Sequence, residues 1–322
     1  MIVSREAPNE IKFVLTGLDN AGKSSMLIVL NKMYQFEEEL KKLQPTIRID
    51  YYKRDFLGRH LNFWDFGGQS KYRERYLQRK VYFESVSQMI YLIDITDPGR
   101  IQESVEYLGQ ILSVLEEMGY NKNNDIYVCF SKMDYNAAFS ERPDFIVNLA
   151  KARSEILKRF SSFKFDFYST SIYNVYSIVK MISKGLMKNI PGYKEIFDEL
   201  EFFAEKNDVE QIVLFDNTGL IIADCIHHLE SYNSNELDKV ISNNLKFFKT
   251  IQDQQIKGWK SGIRKVGDYM NACYEFNMPN PLNSTEDKSY NISIIYKEKN
   301  QIEWNIDDLV INLQKLIREI SG

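Results

Sequence analysis

The segment that most constrains the fold is Gly-Leu-Asp-Asn-Ala-Gly-Lys-Ser, which occupies residues 17–24. An apolar run over residues 11–16 precedes it and apolar residues with helical spacing follow it, so the predicted order is strand, tight loop and helix. In that context the spacing of the glycines, lysine and serine is typical of a loop whose backbone N–H groups bind phosphate. Lys23 then reaches the outer phosphates and Ser24 holds Mg²⁺. The alternative is a glycine-rich turn without a ligand.

A second polar segment, Asp-Phe-Gly-Gly-Gln at residues 65–69, follows another predicted strand. A carboxylate at the carboxyl end of a buried strand beside a phosphate loop is placed to hold Mg²⁺ through water. Gly68 has no side chain, so its N–H can approach a γ-phosphate, and Gln69 can orient a water molecule for in-line attack. The alternatives are a helix N-cap for Asp65 and a solvated first helical residue for Gln69.

Two further polar turns are predicted at carboxyl ends of strands, where open α/β sheets bind their ligands. The turn at residues 131–134 offers the Asp134 carboxylate to the N1–H and amino groups of guanine, and the stem of Lys132 to the face of the purine. The turn at residues 169–172 offers a backbone N–H, that of Ser171, to guanine O6. A polar turn without a ligand is the alternative for the first of these.

Strands alternate with helices up to residue 187, which predicts a doubly wound α/β sheet with one antiparallel pair of strands joined at Leu57-Gly58-Arg59. The break at residues 189–192 and the length of 322 residues indicate two domains, 1–188 and 194–322, with a linker at 189–193. The second part shows helical patterns over 193–205, 236–252 and 307–320, a hairpin over 211–223, and short strands near 262–266, 272–276 and 292–296 around a loop at 277–289. It has no cluster of ionisable residues, so we expect a packing or docking module.

The charge balance and the terminal sequences limit the expected partners. The chain has 41 basic and 45 acidic residues and a formal net charge of −4, which argues against a broad nucleic-acid surface. No apolar run approaches the roughly 18 residues of a membrane-spanning helix. With no signal sequence, no glycine at position 2 and no C-terminal prenylation cysteine, we expect a cytoplasmic protein that reaches a membrane only through a partner.

Five motifs occur between residues 11 and 187 in the order found in small GTPases, namely GLDNAGKS, PT, WDFGGQ, SKMD and TSI, and this part of the chain resembles that family. The phosphate loop and residues 64–69 are most similar to the Arf family, whereas residues 61–69, 131–134 and 169–172 are more similar to the Rag/Gtr GTPases. The second part, with its helix, hairpin, long helix and small sheet, is similar to the roadblock domain, a relative of longin domains, that follows the GTPase in Rag/Gtr proteins.

The resemblance implies a P-loop GTPase fold, with a mostly parallel sheet and one antiparallel edge pair, followed by a smaller α+β roadblock/longin-like domain. It implies a switch that binds GTP or GDP with Mg²⁺, hydrolyses GTP, forms a homodimer or heterodimer through the C-terminal domain, and responds to GTPase-activating and exchange proteins. Lys23 and Gln69 carry over as the catalytic residues, and Ser24, Thr46 and, through water, Asp65 carry over as the Mg²⁺ ligands. The nucleotide-binding residues that carry over are Asp19, Asn20, Ala21, Gly22, Lys23, Ser24, Ser25, Thr46, Gly68, Ser131, Lys132, Asp134, Thr170, Ser171 and Ile172.

Several positions depart from the family patterns. Ser131 stands where most small GTPases, although not the Rag proteins, have an asparagine, and this loses an amide able to tie guanine to the phosphate loop. About ten residues precede the first strand, so Arf-type insertion of a lipidated helix is not expected. Gln44 stands where Gα proteins carry a cis arginine, which predicts slow hydrolysis without an activator.

Other functions remain open from the sequence alone. The alternatives to an active switch are a hydrolysis-poor structural subunit of a dimer, an Arf-like trafficking GTPase, and an ATPase of the same fold. The presence of Gln69 counts against the first, and Lys132 and Asp134 count against the last. For the second domain, the alternative to dimerisation is binding of a lipid or a peptide.

Overall fold

The computed structural model describes residues 10–33, 36–120, 124–134, 144–227, 241, 243–244, 261–266, 269–280, 283–297 and 305–321. Contacts between Cα atoms divide the chain into two compact units. One comprises Glu10–Arg54 and His60–Ile178, and the other comprises Asp55–Arg59 and the described residues from Val179 onward. The helix predicted over 236–252 falls almost entirely outside the described residues.

The first unit contains a six-stranded sheet. Its strands are β1 (Glu10–Gly17), β2 (Ile49–Phe56), β3 (Arg59–Phe66), β4 (Gln88–Asp94), β5 (Ile126–Ser131) and β6 (Phe165–Ser169). Their order is β2-β3-β1-β4-β5-β6, and β1 pairs in parallel with β3 and β4, β4 with β5, and β5 with β6. A two-residue turn joins β2 to β3, so these two strands run antiparallel. The predicted mostly parallel sheet with one antiparallel edge pair is confirmed.

Helices connect these strands and cover the sheet. They are α1 (Lys23–Lys32), α2 (Glu37–Lys42), α3 (Ser70–Gln78), α4 (Ile101–Glu117), α5 (Asp144–Arg159) and α6 (Val175–Lys188), with short 3-10 turns at Lys80–Phe83 and Pro98–Arg100. In α4 the buried residues Val105, Leu108, Ile111, Leu112 and Leu115 recur at helical spacing and pack in one core with side chains of β4 and β5. All of β5 is buried, as expected of a strand in a parallel sheet that is covered on both faces.

Two short helices of the first unit end at clear local signals. Residues 37–42 form the short helix α2, which has three glutamates in its first turn and two lysines in its last. Negative charges near the N-terminus and positive charges near the C-terminus interact favourably with the helix dipole, so this charge order stabilises α2. Helix α3 ends at Gln78, because Arg79 leaves the helical region with φ −123° and ψ 88°.

The loops that the sequence singled out lie at one edge of the first sheet. Strands β1, β3, β4, β5 and β6 are parallel, so their carboxyl ends share that edge. The chain order reverses at β1, which has β3 on one side and β4 on the other. In open α/β sheets, ligands bind outside the carboxyl ends of the strands at such a reversal.

The second unit contains a five-stranded sheet with antiparallel pairing throughout. Its strands are β7 (Gln211–Asp216), β8 (Ile221–Ile226), β9 (Ser261–Val266), β10 (Tyr269–Asn280) and β11 (Asn283–Lys297), in the order β8-β7-β11-β10-β9. The end of α6 belongs to this unit, and its Ser183 Oγ accepts a hydrogen bond of 3.0 Å from the N–H of Ile221. The division by contacts therefore falls inside α6, between Ile178 and Val179.

The loop predicted over residues 277–289 is wrong. Strand β10 continues to Asn280, β11 begins at Asn283, and the two strands pair along this stretch. Asparagine and proline usually mark turns, which is why the composition suggested a loop. The register shifts between Pro279 and Asn280, and such bulges are among the places where strands tolerate proline.

Two helices complete the second unit, α7 (Tyr193–Asn207) and α8 (Ile306–Ser321). Each buries one apolar face, formed by Ile196, Leu200, Phe203 and Ala204 in α7 and by Leu309, Leu313, Ile317 and Ile320 in α8. Asn312 of α8 donates a hydrogen bond of 2.9 Å to Glu199 of α7. None of the helices in the described part of the chain is long and apolar enough to cross a membrane.

Candidate functional site

The loop between β1 and α1 has a backbone that requires glycine at two points. Gly17 has φ +139°, and a Cβ atom there would lie 2.4 Å from the carbonyl oxygen of Leu92. Gly22 has φ +86° at the position before the first residue of α1. Residues with a side chain rarely adopt either value. The two glycines of the motif therefore let the chain curl between the end of β1 and the N-terminus of α1.

The side chain of Lys23 lies inside this loop and is 5% exposed. Its Nζ donates hydrogen bonds to the carbonyl oxygens of Gly17 at 3.2 Å and Leu18 at 2.6 Å. Burial lowers the pKa of Lys23 from 10.5 to about 8, against the opposing attraction of Asp65. An anion that entered the loop would meet a buried ammonium group whose present partners are neutral carbonyls.

Three oxygen-bearing side chains meet beneath the loop. The hydroxyls of Ser24 and Thr46 lie 2.8 Å apart, and both donate to Asp65 Oδ2, Thr46 at 3.1 Å. The other carboxylate oxygen, Asp65 Oδ1, is buried and makes no hydrogen bond within the described structure. Burial raises the pKa of Asp65, although Lys23 opposes the shift. Two hydroxyls and a carboxylate with a free oxygen are hard donors of the kind that Mg²⁺ prefers, so these residues fit that ion.

The segment after β3 packs directly on the phosphate loop. A Cβ atom on Gly68 would lie 2.2 Å from the backbone N of Asp19, whose N–H donates to the carbonyl oxygen of Gly68 at 3.1 Å. A Cβ on Gly67 would lie 2.6 Å from the carbonyl oxygen of Thr46. Gln69 follows as the N-cap residue of α3, and its side chain makes no capping hydrogen bond. The two glycines thus permit close contact, and the amide of Gln69 is not used by the helix.

One cavity of about 310 Å³ is lined by most of these groups, although not by Asp65, and its volume is within the size range of small-molecule sites. The predicted site residues that line it are Asp19, Asn20, Gly22, Lys23, Ser24, Ser25, Thr46, Gly68, Gln69 and Lys132. Leu43, Gln44 and Pro45 complete the lining. The structure therefore brings together the phosphate loop, the segment around Thr46, the segment after β3 and part of the turn after β5.

The two turns predicted to face a base contact each other. Asp134 Oδ1 accepts a hydrogen bond from Ser171 Oγ. The backbone N–H of Ser171, predicted to face guanine O6, donates instead to Ser177 Oγ at 3.3 Å, so it would have to exchange that partner for a base. Lys132 Nζ forms an ion pair of 2.6 Å with Asp94 Oδ2 at the end of β4. Ile172 is half-buried beside these groups.

Ser131 and Thr170 tie these turns to the rest of the site. Ser131 Oγ donates to the carbonyl oxygens of Ala21 at 2.8 Å and Ile93 at 3.1 Å, and so joins β5 directly to the phosphate loop. The backbone N–H of Thr170 donates to Phe130 O at 2.9 Å, and its carbonyl accepts from the N–H of Met133 at 3.0 Å. These two residues therefore hold the turns in place through their own hydrogen bonds.

Sequence reasoning missed Arg100. Its guanidinium donates to Asp19 Oδ1 at 2.7 Å, and this hydrogen bond lowers the pKa of the Asp19 carboxyl. The two residues are far apart in the sequence, and no motif links them. The available signal is that Arg100 follows the carboxyl end of β4, the edge where the other site residues lie.

Comparisons with known proteins identify similar sequences. A family model described as the Gtr1/RagA G protein conserved region matches residues 12–245. The chain is 28% identical to the GTP-binding protein GTR1 of Saccharomyces cerevisiae over 265 residues, which are 80% of this chain and 83% of that protein. It is 31% identical over 153 residues to the ADP-ribosylation factor-like protein alp41 of Schizosaccharomyces pombe, covering 47% of this chain and 76% of that protein.

A solved structure was also matched, that of the Arl6 BBS3 small GTPase from Trypanosoma brucei with a bound nucleotide analogue, GppNp. The match covers 56% of this chain and 97% of the other, with 16% sequence identity and a TM-score of 0.43.

Proposed function

Because the chain belongs to the Gtr1/RagA family of G proteins and is a GTP-binding switch, we propose that it hydrolyses GTP with Mg²⁺, slowly without an activating protein, and pairs with another subunit through its C-terminal unit. The observation that carries the hydrolytic part is the composition of the cavity. A buried lysine, two hydroxyls and a glutamine not used in capping line one space, and both hydroxyls donate to the Asp65 carboxylate, which has a free oxygen. Phosphoryl transfer needs positioning and electrostatic stabilisation, and these groups supply both.

The residues that line the cavity, and Asp65, which accepts hydrogen bonds from two of them, take complementary roles. Ser24 and Thr46 would hold Mg²⁺ directly and Asp65 would hold it through water, and the ion would supply positive charge beside the phosphate oxygens. Lys23 exchanges its carbonyl partners for phosphate oxygens and stabilises the charge that develops there. Gln69 orients the attacking water. Gln44 lines the cavity at the position where Gα proteins carry a cis arginine, so this chain lacks that group. An arginine supplied by an activating protein would then raise the rate by about 10³ to 10⁵.

The turns after β5 and β6 supply the base site in this proposal. Asp134 accepts from the N1–H and amino groups of guanine, and Ser171 gives up its present partners to face the base. The stem of Lys132 lies along the purine. Competition between guanine and adenine nucleotides for the site tests this assignment. We expect excess GTP to displace labelled GDP and excess ATP to leave it bound, whereas an ATPase would retain labelled ATP in the presence of excess GTP.

The hydrolytic proposal is tested by single-turnover hydrolysis of Mg²⁺-GTP beside Mg²⁺-ATP on the full chain, on Gln69→Leu and on Gln78→Leu. Gln78 is exposed at the other end of α3, so Gln78→Leu is a matched control for the loss of an amide from this helix. We expect turnover of GTP alone, slower turnover in Gln69→Leu with nucleotide affinity nearly unchanged, and no change in Gln78→Leu. Hydrolysis at the same rate in Gln69→Leu would refute the role of Gln69. GTP binding without turnover in the unaltered chain would make it a structural subunit.

The pairing proposal concerns the second unit. Its helix, hairpin and five-stranded antiparallel sheet support a roadblock-like domain, which pairs subunits in the resembled proteins, and recruitment to a membrane would then follow through a partner. Sedimentation equilibrium of the full chain over a range of concentrations tests it, since a homodimer doubles the mass of 37.9 kDa. A chain that stays at 37.9 kDa alone and shifts only when a second subunit is added is one half of a heterodimer.

A further inference from the structure

Four charged side chains form a continuous chain of ion pairs from the phosphate loop to the helix after Gln69. Arg100 Nη2 lies 2.7 Å from Asp19 Oδ1, and Arg100 Nε lies 3.3 Å from Glu103 Oε2. The second oxygen of that carboxylate, Glu103 Oε1, lies 2.6 Å from Arg73 Nη2. We refer to Asp19, Arg100, Glu103 and Arg73 as the ion-pair chain. Its charges alternate, so each arginine or carboxylate has an opposite charge beside it.

The end of the ion-pair chain at Arg73 is held in place. The side chain of Arg73 is 14% exposed, and its guanidinium lies over the ring of Tyr107, 5.0 Å from the ring centre. A guanidinium stacked on an aromatic ring in this way gains a cation–π attraction in addition to the ion pair. Arg73 is therefore fixed both by α4, which carries Tyr107 and Glu103, and by its own helix α3.

Both ends of the ion-pair chain reach the segment that contains Gln69. The backbone N–H of Arg73 donates to the carbonyl oxygen of Gln69 at 3.1 Å. At the other end, the backbone N–H of Asp19 donates to the carbonyl oxygen of Gly68, also at 3.1 Å. Because Gly68 and Gln69 are consecutive, the contacts close into a ring. The position of Gln69 is thus defined from one side by the phosphate loop and from the other by Arg73.

We propose that Arg100 and Glu103 are positioning residues that hold Gln69 against the phosphate loop by joining Asp19 to Arg73. This inference rests on the proposed function, in which Gln69 orients the attacking water. The contacts favour positioning over a direct catalytic role for Arg100, because its Nη2 and Nε both face carboxylates. Glu103, which contacts both arginines, is the central link of the ion-pair chain.

The test uses Glu103→Gln, which keeps the shape of the side chain and removes its charge. We expect single-turnover hydrolysis of GTP to slow by about three- to tenfold. The amides in the first turn of α3 should exchange with deuterium faster by a similar factor, since loss of a partly exposed ion-pair network shifts a local opening equilibrium by about that factor. Affinity for GDP and for a slowly hydrolysed GTP analogue should stay within about twofold, because the two ion pairs lost in Glu103→Gln are to arginine side chains and not to the phosphate loop.

Two further variants separate positioning from a general structural effect. Glu117→Gln makes the same substitution on the same helix and removes an ion pair of 3.0 Å with Lys80 that does not reach the phosphate loop. It should change neither the rate nor the exchange of α3. In a Gln69→Leu background, Glu103→Gln should cause no further slowing, because its effect passes through Gln69. Additive slowing in the double variant would mean that Glu103 acts by another route and would overturn the proposal.

The readouts also distinguish this inference from the proposed function. If the unaltered chain does not turn over GTP, the proposed hydrolysis fails, and faster exchange of the first turn of α3 in Glu103→Gln alone then supports the ion-pair chain. If the unaltered chain hydrolyses GTP and Glu103→Gln does so at the same rate, the positioning role is refuted while the GTPase function stands. A parallel loss of rate and of nucleotide affinity would also refute it, since it would show damage to the phosphate loop.

Discussion

The buried Lys23 makes nucleotide binding depend on pH in a direction that the structure defines. Burial lowers its pKa from 10.5 to about 8, which corresponds to about 3 kcal/mol of penalty on the charged form. When phosphate oxygens replace the carbonyls of Gly17 and Leu18, the nearby negative charge favours the ammonium form and raises this pKa. Above pH 8 the empty site has lost the proton that the occupied site keeps, so binding must take up a proton there.

The magnitude follows from the fraction of Lys23 that is protonated before binding. With a pKa of about 8, affinity for GDP should fall by about threefold between pH 7.5 and pH 8.5, a range below the ionisation of the guanine N1–H. The phosphates do not contribute to this loss, since a phosphate monoester has its second pKa near 6 and is fully ionised over this range. Titration calorimetry in two buffers of different ionisation enthalpy measures the protons taken up, which we expect to reach about 0.8 for each nucleotide at pH 8.5.

Two variants identify the group that is responsible. Lys23→Arg keeps its charge throughout this range, so its affinity should be flat with pH even where it is weaker overall. Lys12 also has a pKa lowered to about 8 by burial, but it lies over the ring of Trp64 and outside the cavity lining. Lys12→Met should therefore keep the pH dependence of the unaltered chain. A flat profile in the unaltered chain, or one abolished by Lys12→Met, would refute the reasoning.

Two other predictions follow from the geometry. Gly17→Ala should lower the free energy of unfolding by about 3 kcal/mol, because it combines a positive φ with a clash against Leu92, whereas Gly119→Ala, with φ +71° and open space around it, should cost about 1 kcal/mol. Urea denaturation measures both, and equal losses would contradict the role of the clash. Asp65→Asn should raise the Mg²⁺ concentration needed to slow GDP release by about 10- to 100-fold. An unchanged midpoint in a Mg²⁺ titration would show that Asp65 does not help to hold the ion.

The order of elements in the first unit was predictable because local pattern and burial agree there. The apolar run of β5 and the helical spacing of α4 each have one structural solution in a covered parallel sheet. The 277–289 stretch of the second unit was not predictable from composition. There, Pro279 and several asparagines favour a turn locally, but pairing of β10 with β11 over many residues stabilises the extended form. Pairing between strands is not a local property, so the composition of this segment alone could not predict that β10 and β11 extend through it.

The candidate site divides in the same way. Lys23, Ser24 and Asp65 were identifiable because a short motif defines the backbone around each of them. The ion pair between Asp19 and Arg100 was not identifiable, because it depends on how the end of β4 approaches the phosphate loop. The partner of the Ser171 N–H was also missed, since Ser177 lies on the following helix and no motif includes it.

Ser131 shows how a change of residue type can keep a structural connection. A serine at this position was expected to lose an amide able to tie guanine to the phosphate loop. The serine hydroxyl, at the end of the buried β5, ties the turn after β5 to that loop, since it lies 2.8 Å from the carbonyl oxygen of Ala21. A hydroxyl has one proton, and here the carbonyls of Ala21 and Ile93 share it. It therefore has no donor left for a base. The serine therefore keeps the tie between the two loops.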